Sequence, residues 1–207
     1  MLVLISPAVL SATITGQAGS QAQIQRNEEG DLVVSQTKVQ ERAENTEQVR
    51  AMAQERQQEL EQEMAGKTGS EKTAIKNQNQ VRLAVHSLLA MEDLVGGIGQ
   101  QVSAIAREFD NSIQATINAE ERIQRRNALA RMFIGGDKEA GEEIEKEVKA
   151  NKAKIQLLKQ LKEQCECGSD IKEMFAQQVM NLEKEQTRLE GVAEKGMSRG
   201  LFGWLWK

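Results

Sequence analysis

The clearest hydrophobic pattern lies in the middle of the chain, where apolar residues recur at alternating steps of three and four positions. It runs from Val81 through Ala84, Leu88, Met91, Val95, Ile98, Val102 and Ile105 to Phe109. These steps place the apolar side chains on one stripe of an α-helix, as in the a and d positions of a coiled coil. The pattern therefore predicts a long helix that packs along this stripe against partner helices.

Three glycines interrupt the stripe: Gly96, Gly97 and Gly99. A hairpin turn is one interpretation of them. The stripe nevertheless keeps its phase from Val95 to Val102, which an inserted loop has no reason to preserve, and this favours an unbroken helix weakened by roughly 1 kcal/mol per glycine. We therefore predict one very long central helix over 70–134, with the glycines as helix-crossing points where a neighbouring helix approaches closely.

Shorter helices are predicted on both sides of this segment. Residues 39–64 contain no glycine or proline and carry small apolar residues at helical spacing, which indicates a polar first helix. From Asp137 to Gln164, acidic residues crowd the start and lysines the end, as the helix dipole favours. Ser169 is predicted to cap a last helix, and the tight turn before it predicts an antiparallel helical hairpin.

Together these elements predict an all-α fold, an elongated antiparallel helical bundle or coiled coil over 36–196. The segment 13–35 is rich in Gly, Gln, Ser and Thr, which indicates a flexible linker, although its short alternating stretches also permit a weak hairpin. With four Phe, two Trp and no Tyr in 207 residues, the core is expected to be thin and aliphatic.

Residues 1–12 are apolar and uncharged. A run this short is typical of the hydrophobic part of a signal peptide, because a membrane-spanning helix needs about 20 residues. No Lys or Arg precedes the run, so we interpret it as a signal-peptide remnant; the alternative is a buried apolar N-terminal segment. The first interpretation predicts an extracytoplasmic, envelope-associated protein, and the second a cytoplasmic one.

The segment 197–207 forms an aromatic C-terminal tail. Its large apolar residues, flanked by Arg199 and Lys207, are Leu201, Phe202, Trp204, Leu205 and Trp206. Tryptophans beside cations are typical of a membrane–water interface, and the tail is too short to span a bilayer. It is interpreted as an anchor to a membrane surface or as a peptide that docks on a partner protein. A third interpretation is a tail folded over the end of the bundle.

Charge and candidate chemistry argue against an enzyme or a nucleic-acid-binding protein. The formal net charge is −4 with both signs interspersed, so no basic surface is expected to attract nucleic acid. The single histidine, His86, has no second histidine beside it and is expected to be a partly exposed helical residue, not a metal ligand. We predict no catalytic residues, no cofactor, no metal and no small-molecule substrate.

Cys165 and Cys167 are the sharpest chemical feature, because two thiols two positions apart at a helix end can react together. Three interpretations remain open: a disulfide within or between chains, half of a metal site that a second chain completes, or a reduced redox pair. Export of the protein favours the disulfide.

The stretch 81–136, which contains Ile105-Ala-Arg-Glu-Phe-Asp110 and Asn118-Ala-Glu-Glu-Arg-Ile123, resembles uncharacterised exported coiled-coil proteins of archaea. The resemblance implies no activity. We expect a non-enzymatic scaffold that forms homo-oligomers through helix pairing. The alternative is a membrane-active protein that inserts its glycine-rich segment and its tryptophan-rich tail into lipid.

Overall fold

The computed structural model describes residues 25–26, 32–33, 42–126 and 128–201, and most of them lie in α-helices. The helices are α1 (Thr46–Glu63), α2 (Gly69–Ala90), α3 (Gly99–Arg125), α4 (Ala128–Ile134), α5 (Lys138–Glu163) and α6 (Ser169–Met197), and a short 3-10 helix (Gly96–Ile98) precedes α3. The predicted all-α helical bundle is confirmed. The interpretation of residues 1–12 lies outside the described residues.

Two short strands lie inside the segment predicted to be a linker. Strand β1 (Gln25–Arg26) pairs antiparallel with strand β2 (Leu32–Val33), with Gln25 opposite Val33. The pair occupies the place where the alternating pattern permits a weak hairpin. The rest of 13–35 lies outside the described residues.

The bundle is built from two antiparallel helical hairpins, α2–α3 and α5–α6, whose turns lie at the same end. The two turns touch, since the Cys165 Sγ lies 3.7 Å from the Val95 carbonyl oxygen. Helix α1 packs mainly on α2, and the backbone N–H of Ala43 donates to the Ala90 carbonyl oxygen at 3.1 Å. The hairpin of the last two helices, predicted from its tight turn, is therefore present.

The predicted unbroken helix over 70–134 is wrong. Helix α2 ends at Ala90 and the chain reverses direction before α3 begins, and a second break separates α3 from α4. The apolar phase survives the reversal because the turn itself is part of the core, with Met91 and Val95 fully buried. Continuity of an apolar stripe is thus compatible with a hairpin when the turn residues fill the end of the bundle.

The glycines in this turn do not serve as helix-crossing points. Gly96 has a φ of +69°, a left-handed conformation that glycine adopts without steric cost. A Cβ on Gly97 would meet no atom within 4 Å, so no helix approaches it. A Cβ on Gly99 would overlap the backbone carbonyl of Glu92, which belongs to the same turn. The glycines therefore make the turn and do not mark contact with another helix.

Helix boundaries follow the predicted caps most closely in the second hairpin. Asp137 is the N-cap of α5, where its carboxylate accepts from the Ala140 N–H at 3.0 Å, and Gln164 is the C-cap. Helix α6 begins at Ser169, but its N-cap is Gly168 and no side chain caps it, so the predicted Ser169 cap is wrong by one position. Helix α1 is shorter than predicted, because the Asn45 side chain caps it.

The apolar core is divided into two clusters. The first, which we call the turn-end core, lies near the two hairpin turns and includes Val49, Ile75, Leu88, Met91, Phe109, Phe175 and Leu182. The second, the α4-end core, is built only from α3, α5 and α6 and consists of Ala119, Ile123, Ala140, Ile144, Val148, Leu189 and Ala193. Its small side chains fit the expectation of a thin aliphatic core.

Candidate interaction surface

Exposed apolar side chains gather at the end of the bundle opposite the hairpin turns. Five of the seven large apolar residues exposed in the described part of the chain lie there, and the other two are Leu157 and Met180. We call the five the apolar end surface: Leu129, Met132, Phe133, Ile134 and Leu201. Ile134 is 76% exposed and Leu129 66% exposed. This grouping of exposed apolar side chains makes the end of the bundle a candidate interaction surface.

Backbone hydrogen bonds join the two segments that carry this surface. The N–H of Leu201 donates to the Met132 carbonyl oxygen, and the N–H of Gly136 donates to the Ser198 carbonyl oxygen, each at 2.8 Å. The Arg126 guanidinium donates to the Gly136 carbonyl oxygen at 2.7 Å. Helix α4 and the segment after α6 therefore form one platform. Exposure of the apolar side chains does not result from a loose loop.

Cations border the apolar end surface. Arg131 and Lys195 line a depression with Met132, Ser198 and Glu194, where Glu194 is the only acid. Arg199 follows in the chain and is exposed. Among the described residues, none of these three cations forms an ion pair. The chemistry of the surface is apolar with a basic edge, which fits the headgroup region of an anionic membrane.

The predicted anchor residues fall only partly within this surface. Leu201 belongs to it. Phe202, Trp204, Leu205 and Trp206 lie outside the described residues. The contribution of α4 was not predicted, although the run Leu129 to Ile134 carried the signal: four large apolar residues within six positions cannot all face one core.

A buried ionic cluster separates the two cores. Both nitrogens at the end of the Arg188 guanidinium donate to the Glu120 carboxylate, at 2.7 and 2.8 Å, and its Nε donates to Glu185 at 2.9 Å. The Gln78 amide donates to Glu185 at 3.1 Å. Because Glu120 is fully buried, this cluster ties α2, α3 and α6 together in one register.

Burial and the bonds within this cluster shift the pKa values of its members. Burial raises the pKa of Glu185 because desolvation outweighs its bond to Arg188. Burial alone would lower the pKa of Arg188, but the bonds to Glu185 and Glu120 outweigh it and raise that pKa. The two carboxylates share one cation, and the cluster joins the helices that carry them.

A second buried ionic cluster holds α1 on α2. The Arg82 guanidinium pairs with Glu63 at 2.6 Å, and Arg56 pairs with Glu59 at 2.6 Å and lies 4.0 Å from Glu63. His86 lies beside this cluster and is buried, in contrast to the predicted partly exposed histidine. Desolvation and the nearby Arg56 charge lower its pKa, so the imidazole stays neutral.

The structure joins Cys165 and Cys167 in a disulfide within the α5–α6 turn. Cys165 is buried and Cys167 is half-buried. In the described part of the chain, no three His, Cys, Asp or Glu side chains gather as metal ligands would. Among the same residues, no helix has the length and apolar content needed to cross a bilayer.

Comparison with protein-family models, curated proteins and solved structures finds no match.

Proposed function

We propose that the protein is a non-enzymatic helical scaffold that attaches to an anionic membrane surface through its apolar end surface and C-terminal tail. The observation that carries the proposal is the position of five exposed apolar side chains on one hydrogen-bonded platform with a basic edge. The extracytoplasmic, envelope-associated location predicted from residues 1–12 forms part of the proposal. N-terminal sequencing of the native protein tests that part.

The energies involved are sufficient for interfacial attachment. A fully buried Leu, Ile, Phe or Met side chain contributes roughly 1.5–3 kcal/mol, and about 1 kcal/mol comes from each cation near an anionic leaflet. Five partly exposed apolar residues therefore supply several kcal/mol before the tail is counted. The remaining helices need not enter the lipid, since their apolar faces pack within the bundle.

Insertion of the glycine-rich segment, the alternative predicted from the sequence, is less favoured by the contacts of that segment. Met91 and Val95 are fully buried between the two hairpins, and Cys165 covers the Val95 carbonyl. Moving them into lipid would require the two hairpins to separate. The α4 end needs no such rearrangement.

A second copy of the chain is the other occupant that the apolar end surface would fit. The predicted homo-oligomer was based on an uncovered seam along a long helix. Most seam residues are instead covered within one chain, since Val81, Leu88, Val102 and Phe109 are all buried, while Ile98 and Ile105 are half-buried. In the described part of the chain, the apolar end surface gathers the most exposed apolar side chains that a second copy could cover.

Liposome flotation tests the proposal. We expect the full chain to float with vesicles that contain anionic lipid and to float less with neutral vesicles or at high salt. The double variant Met132→Asp/Ile134→Asp should lose most of this binding. The matched control is Leu157→Asp/Met180→Asp, which places the same charges on two exposed apolar positions away from the α4 end.

The results distinguish between a membrane and a second copy of the chain as the partner of the apolar end surface. Flotation of the α4 double variant at the wild-type level would refute the membrane proposal. Failure of the wild type to float, together with a dimer in analytical ultracentrifugation that the same double variant dissociates, would assign the surface to a second copy. Deletion of 202–207 measures how much of the vesicle binding depends on the C-terminal tail.

A further inference from the structure

The Cys165–Cys167 disulfide lies in a turn that does not need it. Its two cysteines are two positions apart, so it closes a loop of three residues and restricts the unfolded chain very little. Helices α5 and α6 are already held together by the buried side chains of Leu158 and Phe175. Structural stabilisation therefore does not account for the pair.

The two sulfurs have unequal surroundings. Cys165 is buried, and its Sγ lies 3.7 Å from the Val95 carbonyl oxygen. Cys167 is half-buried and lies between two exposed residues, Glu166 and Gly168. A Cβ on Gly168 would meet no atom within 4 Å, so the space beside Cys167 is open. A thiol from outside can approach only Cys167.

The reduced state also fits the turn. A sulfur in a disulfide carries no proton, so the contact between Cys165 and the Val95 carbonyl is not a hydrogen bond in the oxidised protein. After reduction the Cys165 thiol can donate to that same carbonyl, and reduction leaves no buried polar group without a partner. Cys167 precedes the N-cap of α6, where the helix dipole stabilises a thiolate.

We propose that Cys165 and Cys167 form a thiol–disulfide exchange site whose substrate is a protein or peptide dithiol. A thiolate of the substrate attacks the Cys167 Sγ, the bond between the two cysteine sulfurs breaks, and its electron pair goes to Cys165, which takes up a proton. The second substrate thiol, deprotonated, then attacks the substrate sulfur of this mixed disulfide. Cys167 leaves as a thiolate, the substrate is oxidised to a disulfide, and the cysteine pair is reduced.

The wild-type chain provides the first test. Purified without reductant, it should show no free thiol until reduced glutathione is added, and physiological concentrations of glutathione should then release two thiols per chain without denaturant. Helicity and melting temperature should stay close to those of the oxidised protein. A pair that resists glutathione unless the bundle is unfolded, or two free thiols before any reductant, would overturn the proposal.

Single-cysteine variants provide the second test. Cys165→Ser leaves the accessible thiol and should form a mixed disulfide with oxidised glutathione at least about tenfold faster than Cys167→Ser, which leaves the buried one. Equal rates in two folded variants would contradict the assignment of Cys167 as the attacked sulfur.

A stoichiometric reaction of the wild-type chain provides the third test, with the double cysteine variant as its control. One equivalent of oxidised protein should convert one equivalent of a reduced Cys-x-x-Cys peptide to its disulfide, and the Cys165→Ser/Cys167→Ser protein should convert none. Absence of peptide oxidation by the wild type would refute the site. Because the proposed membrane attachment involves neither cysteine, failure of this reaction leaves the flotation result unaffected.

Discussion

The two ends of the bundle are built in opposite ways. The turn-end core joins α1, α2, α3, α5 and α6 and contains the buried side chains of Phe109 and Phe175. The α4-end core has three helices and mostly small side chains: a Cβ on Gly196 would lie 2.7 Å from the Ile123 Cδ1, which shows how closely the helices approach. Five further large apolar residues at this end, those of the apolar end surface, lie outside its core. One end therefore has the larger core, and the other presents the apolar end surface.

Between these ends lies the ionic cluster of Glu120, Glu185 and Arg188. A buried polar layer adds little net stability, but removing one partner leaves uncompensated charge, which is costly. The layer thus makes the junction between the two cores sensitive to single substitutions. It also restricts α2, α3 and α6 to one register.

The largest expected effect comes from breaking this junction. Arg188→Ala leaves the carboxylates of Glu120 and Glu185 buried without their cation, and should lower the free energy of unfolding by about 3–5 kcal/mol. Denaturant unfolding followed by circular dichroism measures it. The control, Lys138→Ala, removes one partner of an ion pair with Glu142 in which both side chains are exposed, and should cost at most about 1 kcal/mol. Equal losses in the two variants would show that burial of the cluster does not matter.

The next largest loss of stability compares the two cores directly, because the same leucine-to-alanine substitution can be made in each core on the same helix, α6. Leu182→Ala removes a fully buried side chain from the turn-end core, and Leu189→Ala does the same in the α4-end core. Both should cost about 2–5 kcal/mol, with the larger value for Leu182, because three helices around small residues can collapse more readily than five. A larger loss for Leu189 would contradict the larger contribution expected from the turn-end core.

The stability of the protein should depend on pH because His86 is buried in α2. His86 has a lowered pKa in the folded protein, so between that value and the unfolded value of about 6.5 the unfolded chain binds more protons. The stability contributed by neutral His86 is therefore present above about pH 6.5 and is lost as the pH falls below it, at up to about 1.4 kcal/mol per pH unit.

His86→Leu tests this effect, because it should remove that part of the pH dependence and leave any contribution of Glu185 in place. Unfolding measured between pH 5 and pH 8 would show it. The charged groups that act on His86 are Arg56 and Glu59 of α1, so Arg56→Met should reduce the slope. An identical pH dependence in His86→Leu and in the wild type would contradict the lowered pKa.

The smallest effect concerns the glycine turn. Gly97→Ala should change the free energy of unfolding by less than about 1 kcal/mol, in the stabilising direction, because no atom occupies the space of its Cβ. Gly96→Ala should destabilise by about 1–2 kcal/mol, since Gly96 has a positive φ. Differential scanning calorimetry of both variants checks the pair. Loss of stability in Gly97→Ala would restore the helix-crossing interpretation.

Features that depend on interactions between residues close in sequence were predicted, and features that depend on distant residues were not. Helix α5 was predicted between its caps, because dipole-matched charges and the Asp137 cap act within a few residues. The α2–α3 hairpin was missed, since a stripe from Val81 to Phe109 is equally regular whether the chain continues or folds back. The decision depends on contacts with Cys165 and the second hairpin, which are distant in sequence.

Of the apolar end surface, Leu201 was predicted, as part of the C-terminal tail, and the four residues of α4 were not. Tryptophans beside cations give a local pattern, whereas the exposure of Leu129 or Ile134 depends on whether another helix covers them. The buried ionic clusters were missed for the same reason. Glu120 and Arg188 resemble ordinary surface charges until two helices bring them together across 68 positions.

The sequence by itself therefore determined the helical class, the caps of α5 and the residues available for an apolar stripe, because propensity, capping and periodicity act within one or two helical turns. Only the tertiary structure decided where the stripe folds back, which charges are buried and which apolar residues stay outside. These outcomes depend on which side chains compete for a limited interior, and that competition involves residues far apart in the chain.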